Sequence, residues 1–148
     1  MTAYDDLQLV CPWVNIKIKS ILLNKSLEIP KIAIVGPCGA GKSTLVEGLR
    51  SLGVDAKEIA QEHSYVPTMW QKITQPDILI FLDASYKFST SRKNFHWSHS
   101  DYVEQVRRLH HARENCDIYI QTDNLSPEEV LEEVLDKLDI GHLLPSDV

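Results

Sequence analysis

Residues Gly36-Pro37-Cys38-Gly39-Ala40-Gly41-Lys42-Ser43 follow the spacing G-x-x-x-x-G-K-[ST], with Thr44 next in line. Residues of these types at this spacing hold phosphate. The glycines lack a Cβ, so the backbone can turn through positive φ and wrap an anion closely. Successive N–H groups then point inward as an anion nest. A helix beginning at the end of the loop adds unpaired amides and the positive end of its dipole. At this spacing Lys42 is expected to reach the β- and γ-phosphates, and the Ser43 hydroxyl to ligate Mg²⁺.

Such a loop needs a strand before it and a helix after it. Ile32-Ala33-Ile34-Val35 supplies the β-branched run of a strand. Leu45, Val46, Leu49 and Leu52 supply the apolar stripe of a helix, with Gly53 as its stop. Val54 to Ala60 reads as a second strand, polar enough to lie at an edge. Ile78-Leu79-Ile80-Phe81-Leu82 is an unbroken apolar run, as in a parallel strand covered on both faces. Residues 85–95 and 101–115 read as helices, with the strand Ile118-Tyr119-Ile120 after them. On the second helix, Tyr102, Val106 and Leu109 are expected to face the core, while Glu104, Arg107, Arg108 and His111 share a polar face. Ser126, Pro127 and Glu129 start a last helix with a capping box, and Gly141 is its expected end. Strands alternating with helices predict a three-layer α/β/α domain with a small parallel sheet over residues 31–148. Right-handed crossovers then gather every C-terminal strand end, and the ligand, at one edge.

Residues 1–30 form an N-terminal extension with alternating Val14, Ile16 and Ile18. An extra edge strand, a helix laid on the core, or a surface for a homodimer are all compatible with that pattern.

The 148-residue chain is large enough for a proper core, with 43% hydrophobic and 24% charged residues. A net charge of −6 argues against a broad nucleic-acid surface. Cys11, Cys38 and Cys116 have neither disulfide nor zinc spacing and read as reduced thiols of a cytoplasmic protein. Cys38, inside the loop, is either a redox-sensitive thiol or a small bystander. There is no apolar stretch of membrane-span length and no basic-then-apolar leader pattern.

Three segments carry a resemblance: GPCGAGKSTL at 36–45, PDILIFLD at 76–83 with the Arg92-Lys93 helix after it, and IQTDNLSPEEV at 120–130. Together they resemble the P-loop kinases of small molecules: nucleoside and adenylate kinases, shikimate, gluconate and dephospho-coenzyme A kinases. The first segment is highly specific. Guanine-reading N-K-x-D and the D-x-x-G switch of GTPases are absent from the places where they would belong. The resemblance implies the P-loop NTPase fold, with ATP and Mg²⁺ as cofactors and a small-molecule phosphate acceptor as partner. It also implies a lid between Arg92-Lys93 and Arg107-Arg108, with Arg92 and Arg108 as phosphate contacts and Arg107 as substitute; exposed surface cations are the competing reading. Arg113 reads as structural.

One departure matters. Only about fifteen residues separate the second strand from Pro76, too few for the extra strand such kinases insert there. The expected strand order is therefore 2-1-3-4, with the second strand beside the first. Glu62 would then emerge beside the phosphate loop, either as the base for the acceptor hydroxyl or as a ligand to Mg²⁺-bound water, unless it is a plain surface-loop glutamate. Asp83 ends the buried strand at the same edge and is a further Mg²⁺ candidate through water. His63, Tyr65 and Trp70 line an acceptor pocket or else pack as core and turn. Phosphoryl transfer to a small acceptor is the first functional reading. A nucleotide-binding sensor or partner-binding module without transfer is the alternative.

Overall fold

The computed structural model describes residues 30–93 and 98–143. Strand β1 (Lys31–Val35) leads through a tight loop into helix α1 (Lys42–Ser51), then strand β2 (Asp55–Glu58) and a 3-10 turn (Gln61–His63). Helix α2 (Met69–Thr74), strand β3 (Ile78–Asp83), helices α3 (Tyr86–Lys93) and α4 (His99–Glu114), strand β4 (Ile118–Gln121) and helix α5 (Pro127–Leu143) follow. The expected N-terminal extension and its dimer surface lie outside the described residues, except for Pro30.

All strand pairings are parallel, and the sheet order is β2-β1-β3-β4. Ile32 pairs with Ala56 on one side and Ile78 on the other. A parallel sheet must be covered on both faces, and two apolar layers do so. Ile32, Ile34, Ile80, Leu82 and Ile120 pack beneath Leu45 and Leu49 of α1 and Val134 and Leu135 of α5. Ala33, Val35, Leu79 and Phe81 pack beneath Trp70 of α2 and Leu109 and Ala112 of α4. Both faces of β3 are therefore dry, which is why its sequence is continuously apolar rather than alternating. β2 stands at the edge, with Ala56 buried and its neighbours in the strand exposed.

Two helix starts are reciprocally capped. The Ser126 hydroxyl accepts from Glu129 N–H at 3.1 Å, and the Glu129 carboxylate accepts from Ser126 N–H at 3.2 Å. Ser98 and Asp101 do the same for α4, which therefore begins at His99, two residues before the expected start. Val106 does not face the core. It is 38% exposed, and Gln105 takes the inward place with Leu109 and Ala112. Gly141 does not stop α5, which continues to Leu143; one glycine costs a helix only about 1 kcal/mol.

The β1–α1 loop lies directly against β3. A Cβ added to Gly36 would come within 2.1 Å of the Leu82 carbonyl oxygen. Leu82 is fully buried in a central strand and has no room to retreat. Gly36→Ala is therefore expected to lose about 3 kcal/mol of stability. Urea denaturation checks this, and an unchanged midpoint would mean that the loop does not rest on β3. No helix among the described residues is long and apolar enough to cross a membrane.

Candidate functional site

The glycine loop opens on a cavity of about 480 Å³ at the C-terminal edge of the sheet. Cys38 to Leu45 form one wall, and Glu58, Glu62, His63, Arg92 and Thr122 stand around it. Parallel topology explains the location, because β1 and β2 end on this edge and hand over to the loop and to the turn that carries Glu62.

Within the loop, Gly39 adopts φ 85°, and a Cβ there would lie 2.6 Å from the Ser89 carbonyl oxygen. Gly41, at φ 92°, precedes the first turn of α1. The Cys38 N–H donates to Oε1 of Gln105 at 3.1 Å, so the inward glutamine of α4 satisfies a loop amide. This is the reason a polar residue occupies a core position on that helix.

Lys42, the first residue of α1, is 5% exposed. Its Nζ donates to the Gly36 carbonyl at 2.7 Å, the Pro37 carbonyl at 3.2 Å and Glu62 Oε2 at 2.5 Å. Glu62 is 3% exposed, so the ion pair is buried on both sides. Its second oxygen, Oε1, is buried with no hydrogen-bond partner. Such a carboxylate is not the surface-loop glutamate that the sequence also allowed. The Ser43 hydroxyl donates to Glu58 Oε2 at 2.8 Å.

Arg92 of α3 donates to the Thr122 hydroxyl at 2.8 Å, to the Thr122 carbonyl and to the Gly39 carbonyl at 3.4 Å. It lines the cavity and ties the loop to the end of β4. Thr122 is held in turn by the Asp83 carbonyl, 2.8 Å from its hydroxyl.

Other expected site residues lie elsewhere. Asp83 accepts from the Tyr119 hydroxyl at 2.5 Å and lies 3.9 Å from Arg113, and it is not among the residues lining the cavity. Burial and the Asp83 carboxylate push the Tyr119 hydroxyl up to about 12. Arg113 also lies over the Tyr119 ring, 5.2 Å from its centroid, in the structural role expected of it. Arg108 stacks on the Tyr65 ring at 4.2 Å, pairs with Glu104 at 3.1 Å and donates to the Glu62 carbonyl at 3.4 Å. It thus braces the turn behind Glu62 and does not line the cavity. Arg107 pairs with Glu104 in solvent. The expected acceptor pocket divides in the same way. Trp70 is buried in the second apolar layer and donates to His111 Nδ1 at 3.2 Å, while Tyr65 is 80% exposed. Buried Gln61 staples the segment by accepting from Trp70 N–H at 3.0 Å and donating to the Val66 carbonyl at 2.8 Å. Of the pocket residues only His63 reaches the cavity.

Sequence reasoning missed Glu58, Gln105 and Thr122. Glu58 had a signal: period two puts it on the same face of β2 as buried Ala56, and the strand ends there instead of at Ala60. Gln105 and Thr122 had none, because their partners lie 67 residues away and on a neighbouring strand, respectively.

No protein-family model matches this chain, and no curated protein or solved structure matches it significantly.

Proposed function

We propose that this chain binds ATP with Mg²⁺ at the Gly36–Ser43 loop and transfers the terminal phosphoryl group to a small-molecule acceptor. One observation carries the reading. Lys42 is buried at the first turn of α1, anchored by two loop carbonyls, and the loop residues around it line a cavity of about 480 Å³. A triphosphate entering there would replace Glu62 as the counter-charge of Lys42. The loop amides and the start of α1 favour the same anion. The finer fold assignment, a P-loop NTPase, belongs to this reading.

The donor set of Ser43 and Glu58 suits Mg²⁺, which takes hard oxygen ligands. Bound there, the ion would neutralise charge on the β- and γ-phosphates. Glu58 thereby takes the place that the sequence offered to Asp83. Arg92 stands at the cavity wall, where a guanidinium can stabilise charge developing on the transferring group. Glu62 lines the cavity and is the carboxylate to take the acceptor hydroxyl proton.

The test is steady-state ADP release with Mg²⁺–ATP across a panel of hydroxyl and phosphate acceptors. Acceptor-dependent release well above the background without acceptor is expected. A second reading, nucleotide binding without transfer, draws on the burial of Trp70, which packs as core rather than lining an acceptor pocket. It predicts saturable nucleotide binding with no acceptor dependence.

A further inference from the structure

Cys38, Glu62 and His63 stand together at the mouth of the loop, and neither phosphate binding nor the Mg²⁺ pair uses the thiol or the imidazole. Cys38 Sγ lies 3.3 Å from His63 Nε2 and 3.8 Å from Glu62 Oε2. One ligand atom from each residue lies within 4.8 Å of the other two. Zinc bonds of about 2.3 Å to sulfur and about 2.0–2.2 Å to nitrogen or oxygen place tetrahedral ligands about 3.4–3.6 Å apart. The Sγ–Nε2 separation of 3.3 Å lies just below that value and the Sγ–Oε2 separation of 3.8 Å just above it. We propose that Cys38, Glu62 and His63 form a binding site for a thiophilic divalent cation of the zinc class, beside and distinct from the Ser43–Glu58 oxygen pair.

Two features besides the cluster support this. The first is Glu62 Oε1, buried and without a partner. Leaving a carboxylate oxygen dry is costly, and a cation held by the Glu62 carboxylate would relieve that cost. The second is the chemical split between the two donor sets. Sulfur and imidazole select zinc-class ions, whereas the hydroxyl and carboxylate of Ser43 and Glu58 select Mg²⁺. Three protein ligands also leave one coordination position for water or a ligand in the cavity, as in sites that do more than hold a fold. Binding releases the thiol proton to solvent, since the thiolate is the ligand.

The experiment uses the full chain with Cys11→Ser and Cys116→Ser, which leaves Cys38 as its only thiol. Reduced, metal-free protein is titrated with Co²⁺ and then with Zn²⁺, without nucleotide. One equivalent of Co²⁺ is expected to produce a thiolate-to-cobalt charge-transfer band, which Zn²⁺ then removes. Cys38→Ser should abolish the band. His63→Ala, at an exposed position and harmless to the fold, should weaken Co²⁺ affinity more than about 100-fold, beyond what loss of an outer partner costs. Absence of the band in the single-thiol chain, or unchanged affinity in His63→Ala, would overturn the site. Because no nucleotide is present, either result is independent of the ATP reading. Thermal melts of each variant confirm that the chain tested is folded.

Discussion

Lys42→Met protein is expected to gain no thermal stability from Mg²⁺–ATP at a concentration one hundred times the wild-type Kd. Wild-type protein at that concentration should gain about 2.7 kcal/mol, the mass-action stabilisation of a ligand that binds only the native state. The reason lies in how Lys42 is held. Its Nζ has three acceptors, two of them carbonyls of the loop itself, so the charge is fixed at the floor of the cavity. Removing it takes away the only buried cation on that wall among the described residues. The variant should also melt lower than wild type without ligand. Methionine leaves Glu62 buried without its counter-charge, and breaking one side of a buried pair costs about 3–5 kcal/mol. The informative reading is therefore the increment produced by nucleotide rather than the melting temperature itself. Lys42→Met with Glu62→Leu removes both charges and should recover most of the lost stability, because an apolar pair of similar volume often replaces a buried ion pair without loss. A full wild-type increment in Lys42→Met would show that nucleotide binds elsewhere or not at all.

Glu62→Gln is expected to act on stability and turnover together. Both partners of the Lys42–Glu62 pair are only 4% exposed in their side chains, so the substitution acts inside a buried ion pair and not on a surface loop. Glutamine can still accept from Lys42 but carries no charge. Lys42 is left buried without its counter-charge, so the loss should approach the roughly 3–5 kcal/mol of breaking one side of a buried pair. Turnover should fall by a factor on the order of 10² or more if Glu62 accepts the acceptor proton. Nucleotide should restore a larger share of stability in this variant than in wild type, since the triphosphate supplies the negative charge that Lys42 has lost. Melts with and without Mg²⁺–ATP, alongside ADP release with an active acceptor, measure all three. Wild-type turnover in Glu62→Gln would remove the residue from the chemistry and leave it as the partner of Lys42 alone.

The two variants report on different charges of one pair, so their comparison carries its own check. If the cavity is an anion site, Lys42→Met and Glu62→Gln should move the nucleotide increment in opposite directions. A merely structural pair would lower stability in both and leave the increment the same.

What the sequence determined by itself was local. The loop spacing from Gly36 to Ser43, the Ser126–Glu129 capping box and the dry run Ile78–Leu82 are contiguous signals, and each appears where it was read. The strand order followed from a single length, because about fifteen residues between the expected end of the second strand at Ala60 and Pro76 cannot hold a further strand with its crossover. Periodicity also assigned residues to faces, though a one-residue rotation of α4 exchanged Val106 for Gln105. Only the tertiary structure decided which side chains meet across those faces. β2 ends at Glu58, so that carboxylate meets Ser43, and the 3-10 turn brings Glu62 to Lys42 and His63 to Cys38. Asp83 ends its strand at the expected edge but is taken by Tyr119 on the neighbouring strand. Trp70, equally suited to a pocket or a core, has its N–H paired with His111 and so lies in the core. The physical reason is common to all of these. A period of two or of 3.6 reports which face a side chain occupies. Its partner on that face depends on strand register, helix rotation and the exact residue at which an element stops, and these are set by the packing of the whole chain.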